Sequence, residues 1–385
     1  MKRPFSAVAA VATCALLLAA CGGGGAAPAS TSASSSPATS TAASRAPASA
    51  AASSSAAPSA RASAAASRAP SSSEAASGAA GGQMTPLVVS YSAIIGNVLP
   101  VWVAEDAGIF KKNGLDVDLR YINSSKGIPA LISGGVQIAD IGGAETLSAV
   151  AGGADLATVA VDAPTYPFVL MAPSSIKTVQ DLKGKKIGVS EPGSSSDIAT
   201  RVALRKEGID PDTDVSIIAV GSASERIAAL ENGAIQAGLS FPPNTLSLEQ
   251  KGFHTVLDLA SLHLPAALSS TVVKRSYLDS HKDVVQKYVD SMVESIAWAK
   301  QHKAEAVKIL GKYYKNNDQN AMETTYDYFM NEVIPSLPYP KAKMYTNAQS
   351  ILGAKSAKVK DYDVAKMLDA SFVTSAADRG LDKTA

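Results

Sequence analysis

Cysteine is nearly absent: the 385-residue chain has two, Cys14 and Cys21, both within the first 21 residues. Beyond them no disulfide, thiolate-bound metal or thiol nucleophile is available. Aromatic residues make up only 5% of the chain. Charge is nearly balanced, with 35 Lys and Arg against 34 Asp and Glu. A net charge of +1 offers no field that would gather nucleic acid or an anionic lipid surface. The four histidines, His254, His263, His281 and His302, show no metal-ligand spacing such as His-Glu-x-x-His. No apolar run reaches the roughly 20 residues that a bilayer-spanning helix needs. These absences point away from a thiol enzyme, a metalloenzyme and a nucleic-acid binder, and no cofactor or metal is expected.

What is present begins with a leader. Lys2 and Arg3 precede an apolar stretch from Ala7 to Ala20, the layout of a secretory signal. The stretch ends in Leu18-Ala19-Ala20-Cys21-Gly22, which resembles the bacterial lipobox. Residues 1–20 therefore read as a lipoprotein signal peptide and Cys21 as the acylated first residue of the mature chain. Residues 21–85 are almost entirely Ala, Ser, Pro, Gly and Thr, too poor in large apolar groups to offset the entropy of ordering. They read as a disordered tether, whose root-mean-square reach over about 60 residues is roughly 40 Å. The expected location is the periplasm or cell surface, held at the membrane by lipid.

From Pro86 the pattern alternates short strands with helices. Strands are expected at Leu87–Ser90, Val117–Ile122 and Val136–Ile141, with helices at Asn97–Ala107 and Gly127–Ser133. About one hundred residues later the pattern returns. Ile128 to Gln137 and Ile227 to Gln236 share the skeleton Ile-x-Ala-Leu-x-x-Gly-x-(Val/Ile)-Gln. Strand–helix–strand units of this kind give parallel sheets with right-handed crossovers. Ligands of such sheets sit beyond the carboxyl ends of the strands. From about His281 the chain reads as helical, with Val285, Tyr288, Met292, Ile296 and Ala299 on one apolar face.

The run Trp102-Val103-Ala104-Glu105-Asp106-Ala107-Gly108-Ile109-Phe110-Lys111-Lys112-Asn113-Gly114-Leu115-Asp116-Val117 resembles the opening of the sulfonate/nitrate/taurine-type binding proteins. That family includes relatives that bind or make the pyrimidine precursor of thiamine. Asp181 to Val189 and Gly193-Ser194-Ser195-Ser196 fit the same family. The resemblance runs from about Leu87 to Lys300. It implies an α/β, two-lobed periplasmic-binding-protein fold of type II, each lobe a mostly parallel sheet flanked by helices, with a helical C-terminal region. Lobe 1 would comprise 86–170 and 268–380, and lobe 2 would comprise 171–267. It also implies a monomeric solute-binding subunit that delivers a small molecule to an ABC permease. An enzyme on this fold is the rival reading, but the pyrimidine synthases carry a Cys-rich motif that the globular part lacks. A sensor subunit is a further alternative.

Four loops are expected to face the ligand. They supply Tyr91, Ser92, Gly96 and Asn97; then Gly143, Ala144 and Glu145; then Glu191, Gly193, Ser194, Ser195 and Ser196; and finally Ser240 and Phe241. The serine-rich helix start offers N–H groups and a positive dipole end, which suit a carboxylate or sulfonate. Tyr91 and Phe241 are candidates to stack on a flat ligand. Glu145 and Glu191 oppose a simple anion, so a zwitterion, an amine or a pyrimidine-like heterocycle stays open. Asp140 reads as a structural acceptor, and Lys126 and Arg226 could supply compensating charge to the site but read rather as charges on solvated faces.

Overall fold

The computed structural model describes residues 84–384. The expected signal peptide, Cys21 and the tether up to residue 83 lie outside the described residues.

The first lobe is built on a sheet in the order β2-β1-β3-β10-β4. Its chain runs β1 (Thr85–Tyr91), α1 (Leu99–Asp106), α2 (Ile109–Lys112), β2 (Leu115–Tyr121), α3 (Ser124–Ser133), β3 (Ile138–Ile141), α4 (Gly143–Ala151) and β4 (Leu156–Thr165). Leu87, Val89 and Tyr91 alternate inward along β1, as a half-buried strand requires. Helix α3 starts three residues before the expected position. Asn123 caps it, its side chain accepting from the Ser125 N–H.

The second lobe has a sheet in the order β7-β6-β8-β5-β9. Its elements are β5 (Val169–Pro173), β6 (Lys186–Val189), α5 (Ser195–Lys206), β7 (Ser216–Ala219), α6 (Ala223–Glu231), β8 (Ala237–Ser240), α7 (Asn244–Gln250) and β9 (Phe253–Asp258). Then β10 (Pro265–Lys274) returns to the first sheet, followed by α8 (Arg275–Ser280), α9 (Lys282–Gln301), α10 (Lys303–Tyr314), α11 (Gln319–Asp327), α12 (Thr346–Gly353), α13 (Ala357–Lys360) and α14 (Ser371–Asp378). No helix among the described residues is long and apolar enough to cross a membrane. The apolar stripe of α9, from Val285 through Ala299, is buried.

The two-lobed α/β architecture is the expected one, with one correction. Each sheet is mixed rather than mostly parallel. In the first, β1 pairs parallel with β2 and β3, whereas β10 pairs antiparallel with β3 and β4. In the second, β6 pairs parallel with β7 and β8, whereas β5 pairs antiparallel with β8 and β9. The antiparallel strands β5 and β10 are those that enter each sheet directly from the other lobe, without the helical crossover that parallel pairing needs.

The repeated skeleton has a structural role in each lobe. Gln137 N–H donates to Val88 O while its Oε1 accepts from Val88 N–H at 2.9 Å. Gln236 does the same with Lys186, its Oε1 accepting at 3.2 Å. Both amides also donate back, to Gly134 O and Gly233 O. Those glycines turn the chain at φ 80° and 78°, a conformation costly for a side chain with Cβ. Each Gln thus extends the ladder between the first and third strands of its βαβ unit.

The chain passes between the lobes at residues 166–168 and 259–264. Leu259 and Ala260 N–H both donate to Phe168 O, so the two crossings are bonded to each other.

Candidate functional site

Loops at the carboxyl ends of the parallel strands of both sheets surround one cavity of about 280 Å³. The first lobe contributes Ser92–Ile95, Asn97 and Val98 after β1, Tyr121 at the end of β2 with Asn123 and Ser124 after it, and Asp140, Gly142 and Glu145 around the end of β3. The second contributes Ser190 and Ser194–Ser196 after β6, Ser222–Ser224 and Arg226 after β7, and Phe241 after β8. Phe168 comes from a crossing, and Leu268 and Ser269 from β10.

Of the residues expected from sequence, Ser92, Asn97, Glu145, Ser194, Ser195, Ser196 and Phe241 line the cavity. Tyr91, Gly96, Gly143, Ala144, Glu191, Gly193 and Ser240 do not. The Tyr91 ring packs edge-on against Trp102 at 5.9 Å and beside Tyr121 at 5.7 Å, so the neighbouring tyrosine takes the exposed place. Gly96 lies against the Phe329 ring, and Gly143 against Ala267 and Tyr345. Ala144 and Ser240 are buried within their lobes. Gly193 N–H donates to Asp197 Oδ2 at 2.8 Å. The Glu191 carboxylate is near enough to raise the pKa of Glu145.

Two expectations are corrected. The serine-rich start of α5 does not offer free N–H groups at Gly193, Ser194 and Ser195. Ser194 N–H goes to Glu191 O and Gly193 N–H to Asp197. Ser195 donates across the cleft to Glu145, through N–H at 3.2 Å and Oγ–H at 2.8 Å. A carboxylate of the protein itself therefore occupies this positive helix end. Burial between the lobes raises the Glu145 pKa, and these hydrogen bonds oppose the rise.

Nor does Arg226 sit on a solvated face. It is 4% exposed, with Nε donating to Leu239 O at 3.0 Å and Nη1 to Ser190 Oγ at 3.4 Å. No carboxylate of the described residues forms an ion pair with it. Burial alone draws its pKa down to about 10. Gly188 and Gly238 make room for its stem: a Cβ at 238 would stand 3.0 Å from Arg226 Cγ.

The first lobe presents the opposite character. Asn97 is 2% exposed and its Oδ1 has no donor. Asp140 accepts from Ser269 Oγ–H at 2.5 Å, while its Oδ2 has no donor. Burial raises its pKa to about 6 against that hydrogen bond. Phe168 and Phe241, 6.0 Å apart, give the cavity an aromatic side. The lining contains no His, Lys or Cys. Asn97 Oδ1 and Asp140 Oδ2 stand without donors in the first lobe, and the Arg226 guanidinium stands in the second.

Sequence reasoning missed the loops after β2 and β7. The repeat contained the signal: Asn123 and Ser222 stand at equivalent places, each the N-cap of the helix that carries the repeated skeleton.

Comparison with known proteins gives the family and the fold. A family model described as NMT1/THI5 like matches residues 95–306. YtlA of Bacillus subtilis, named as a binding protein, is 25% identical over 240 residues, covering 60% of this chain and 72% of the relative. An Escherichia coli protein named for binding aliphatic sulfonates is 29% identical over 189 residues, covering 48% of this chain and 58% of the relative. The alkanesulfonate-binding protein SsuA from Xanthomonas axonopodis pv. citri, solved bound to MOPS, shares the fold. Its TM-score is 0.61 at 20% identity, covering 75% of this chain and 99% of SsuA. The matched region reaches from Ile95, in the first cavity loop, through the repeat and α9 into α10, more than half of the sequence, and the chain belongs to the NMT1/THI5-like family.

Proposed function

We propose that the chain is the extracytoplasmic solute-binding subunit of an ABC importer. It captures a small organic solute between its lobes and delivers it to a permease. The observation that carries this reading is Arg226, a buried guanidinium without a counter-charge at the wall of an interlobe cavity. An unpaired buried charge is costly, and an anionic group entering the cavity relieves that cost. Relatives named for binding aliphatic sulfonates support an anionic solute. At about 280 Å³ the cavity is larger than an inorganic anion such as nitrate fills. The Asn97 acceptor and the carboxyl of Asp140 favour a solute with hydrogen-bond donors at its other end, such as a zwitterion. The aromatic side formed by Phe168 and Phe241 favours, as a second reading, a flat heterocycle that carries an acid group.

A melting screen across sulfonates, carboxylates, zwitterions, amines and pyrimidines tests this. A ligand that binds only the folded state adds about 2.7 kcal/mol of stability at one hundred times Kd. A hit from the anionic or zwitterionic set, lost in Arg226→Gln, is expected. A hit that Arg226→Gln leaves intact refutes the assignment. The tether and lipid belong to the same proposal: Cys21→Ser should release the protein from the membrane fraction, and intact mass should show acyl groups on Cys21.

A further inference from the structure

Behind the cavity floor lies a second carboxyl that solute binding does not reach. Asp162 on β4 is 0% exposed, Asp140 on β3 is 2% exposed and lines the cavity, and the two strands flank β10, where Asp140 pairs with Thr271 and Asp162 lies between the partners of Ser269 and Ser270. Neither carboxyl forms an ion pair with any Lys, Arg or His of the described residues. Two ionised carboxylates so placed would repel each other in a medium that screens them poorly. They would also leave both oxygens of Asp162 and Oδ2 of Asp140 without a donor, as the heavy-atom positions show. One proton between them turns two opposed acceptors into a donor and an acceptor.

We propose that Asp162 keeps a proton at neutral pH and donates it to Asp140, so that the cavity floor presents one ionised carboxylate backed by a neutral carboxyl. The neighbours decide which residue holds the proton. Asp140 already accepts from Ser269 at 2.5 Å and borders the cavity. Asp162 is fully buried, has no donor at standard hydrogen-bond geometry, and has only the neutral Thr271 hydroxyl beside it as a side-chain donor. The groups facing the pair are Ser269 and Thr271 from β10 and Tyr288 from α9, none of them cationic. Burial and the Asp140 charge both raise the Asp162 pKa, consistent with this order. Asp140 is then a specificity-determining acceptor for hydrogen-bond donors of the solute, and Asp162 is its positioning residue. The role of Asp140 toward a solute rests on the solute-binding reading; the proton does not.

Infrared spectroscopy of the full mature chain, with no ligand added, tests the proton alone. At neutral pH the wild type should show the carbonyl stretch of a protonated carboxyl. Asp162→Asn, which keeps size and an N–H donor, should remove that band, and Asp140→Asn should retain it. Loss of the band in Asp140→Asn with retention in Asp162→Asn overturns the assignment. Absence of any such band from the wild type overturns the proposal even where a variant fails to fold. A failed solute screen leaves this result untouched, so the two readings fail separately.

Discussion

The two lobes are built on one repeat but turn opposite chemistry toward the cavity. Where the second lobe has Arg226, one residue before its repeated skeleton, the first has Gly127. Where the first has Asp140 in the strand after the skeleton, the second has Leu239, whose carbonyl accepts from Arg226 Nε. The space differs to match. Gly188 and Gly238 flank the Arg226 stem, while the side chain of Ile141 leaves no room for a Cβ at Gly127. The shared residues, Gln137 with Gln236 and Asn123 with Ser222, are those that close sheets and cap helices. Scaffold roles are thus shared, even by the cavity-lining caps Asn123 and Ser222, and the sharpest divergence toward the cavity is Asp140 in one lobe and Arg226 in the other.

The strongest way to break this contrast is to remove the donor. Arg226→Met should weaken an anionic or zwitterionic hit by about 2–5 kcal/mol, the cost of truncating one partner of a buried charged pair. The unliganded variant should melt no lower than wild type, because the buried unpaired charge has gone. Calorimetric titration and melting curves read the two effects. A variant that loses stability but keeps affinity would assign Arg226 to the scaffold. Gly238→Val attacks the same wall from behind. Its side chain must displace the Arg226 stem, with an overpacking cost of about 1–3 kcal/mol and weaker binding of the same hit.

The scaffold was the legible part of the sequence. The repeated skeleton, the strand ends and the apolar face of α9 all follow from periodicity, which burial enforces residue by residue. The cavity was legible only in part. Loop positions followed from the strand ends, but the side chains within them compete for the same hydrogen bonds. That competition put the Glu145 carboxylate at the start of α5. Arg226 read as a surface charge because its neighbours Glu225 and Ile227 give an ordinary amphipathic helix. Only the pairing of Gly188 on β6 with Gly238 on β8 reveals the space its stem fills. Tyr91 and Tyr121 pair side by side on β1 and β2, and sequence does not show which ring reaches the cavity.

The Asp140 side of the contrast is tested by pH. The folded-state pKa values of Asp140 and Asp162 are both raised, so the native state holds protons that the unfolded chain releases. Their contribution is therefore most favourable near the unfolded carboxyl value of about 4 and declines as pH rises. The decline runs through about 6 for Asp140 and continues higher for Asp162. Each such proton contributes a slope of about 1.4 kcal/mol per pH unit within its window. Asp162→Asn should flatten the upper part of the curve in denaturant unfolding followed across pH. An unchanged slope would remove the acid pair from the difference between the lobes.

The smallest effect sharpens the comparison from the side of likeness. Gln137 and Gln236 each accept from a backbone N–H of the first strand in their βαβ unit and donate to the carbonyl of the turning glycine. Replacing either with Ala removes those two side-chain bonds while leaving the backbone bonds of the ladder in place. Each bond contributes about 0.5–1.5 kcal/mol net, and the partly exposed groups regain some of it from water. Gln137→Ala and Gln236→Ala should therefore cost about 1 kcal/mol each, equal within error. The double variant should be additive, since the two sites belong to different sheets and share no partner. Neither should alter affinity for a cavity ligand, because neither side chain lines the cavity. Unequal costs measured by denaturant unfolding would show that the lobes differ in scaffold as well as in chemistry. A loss of affinity in one variant alone would show that strand pairing in that lobe also sets the position of its cavity loops.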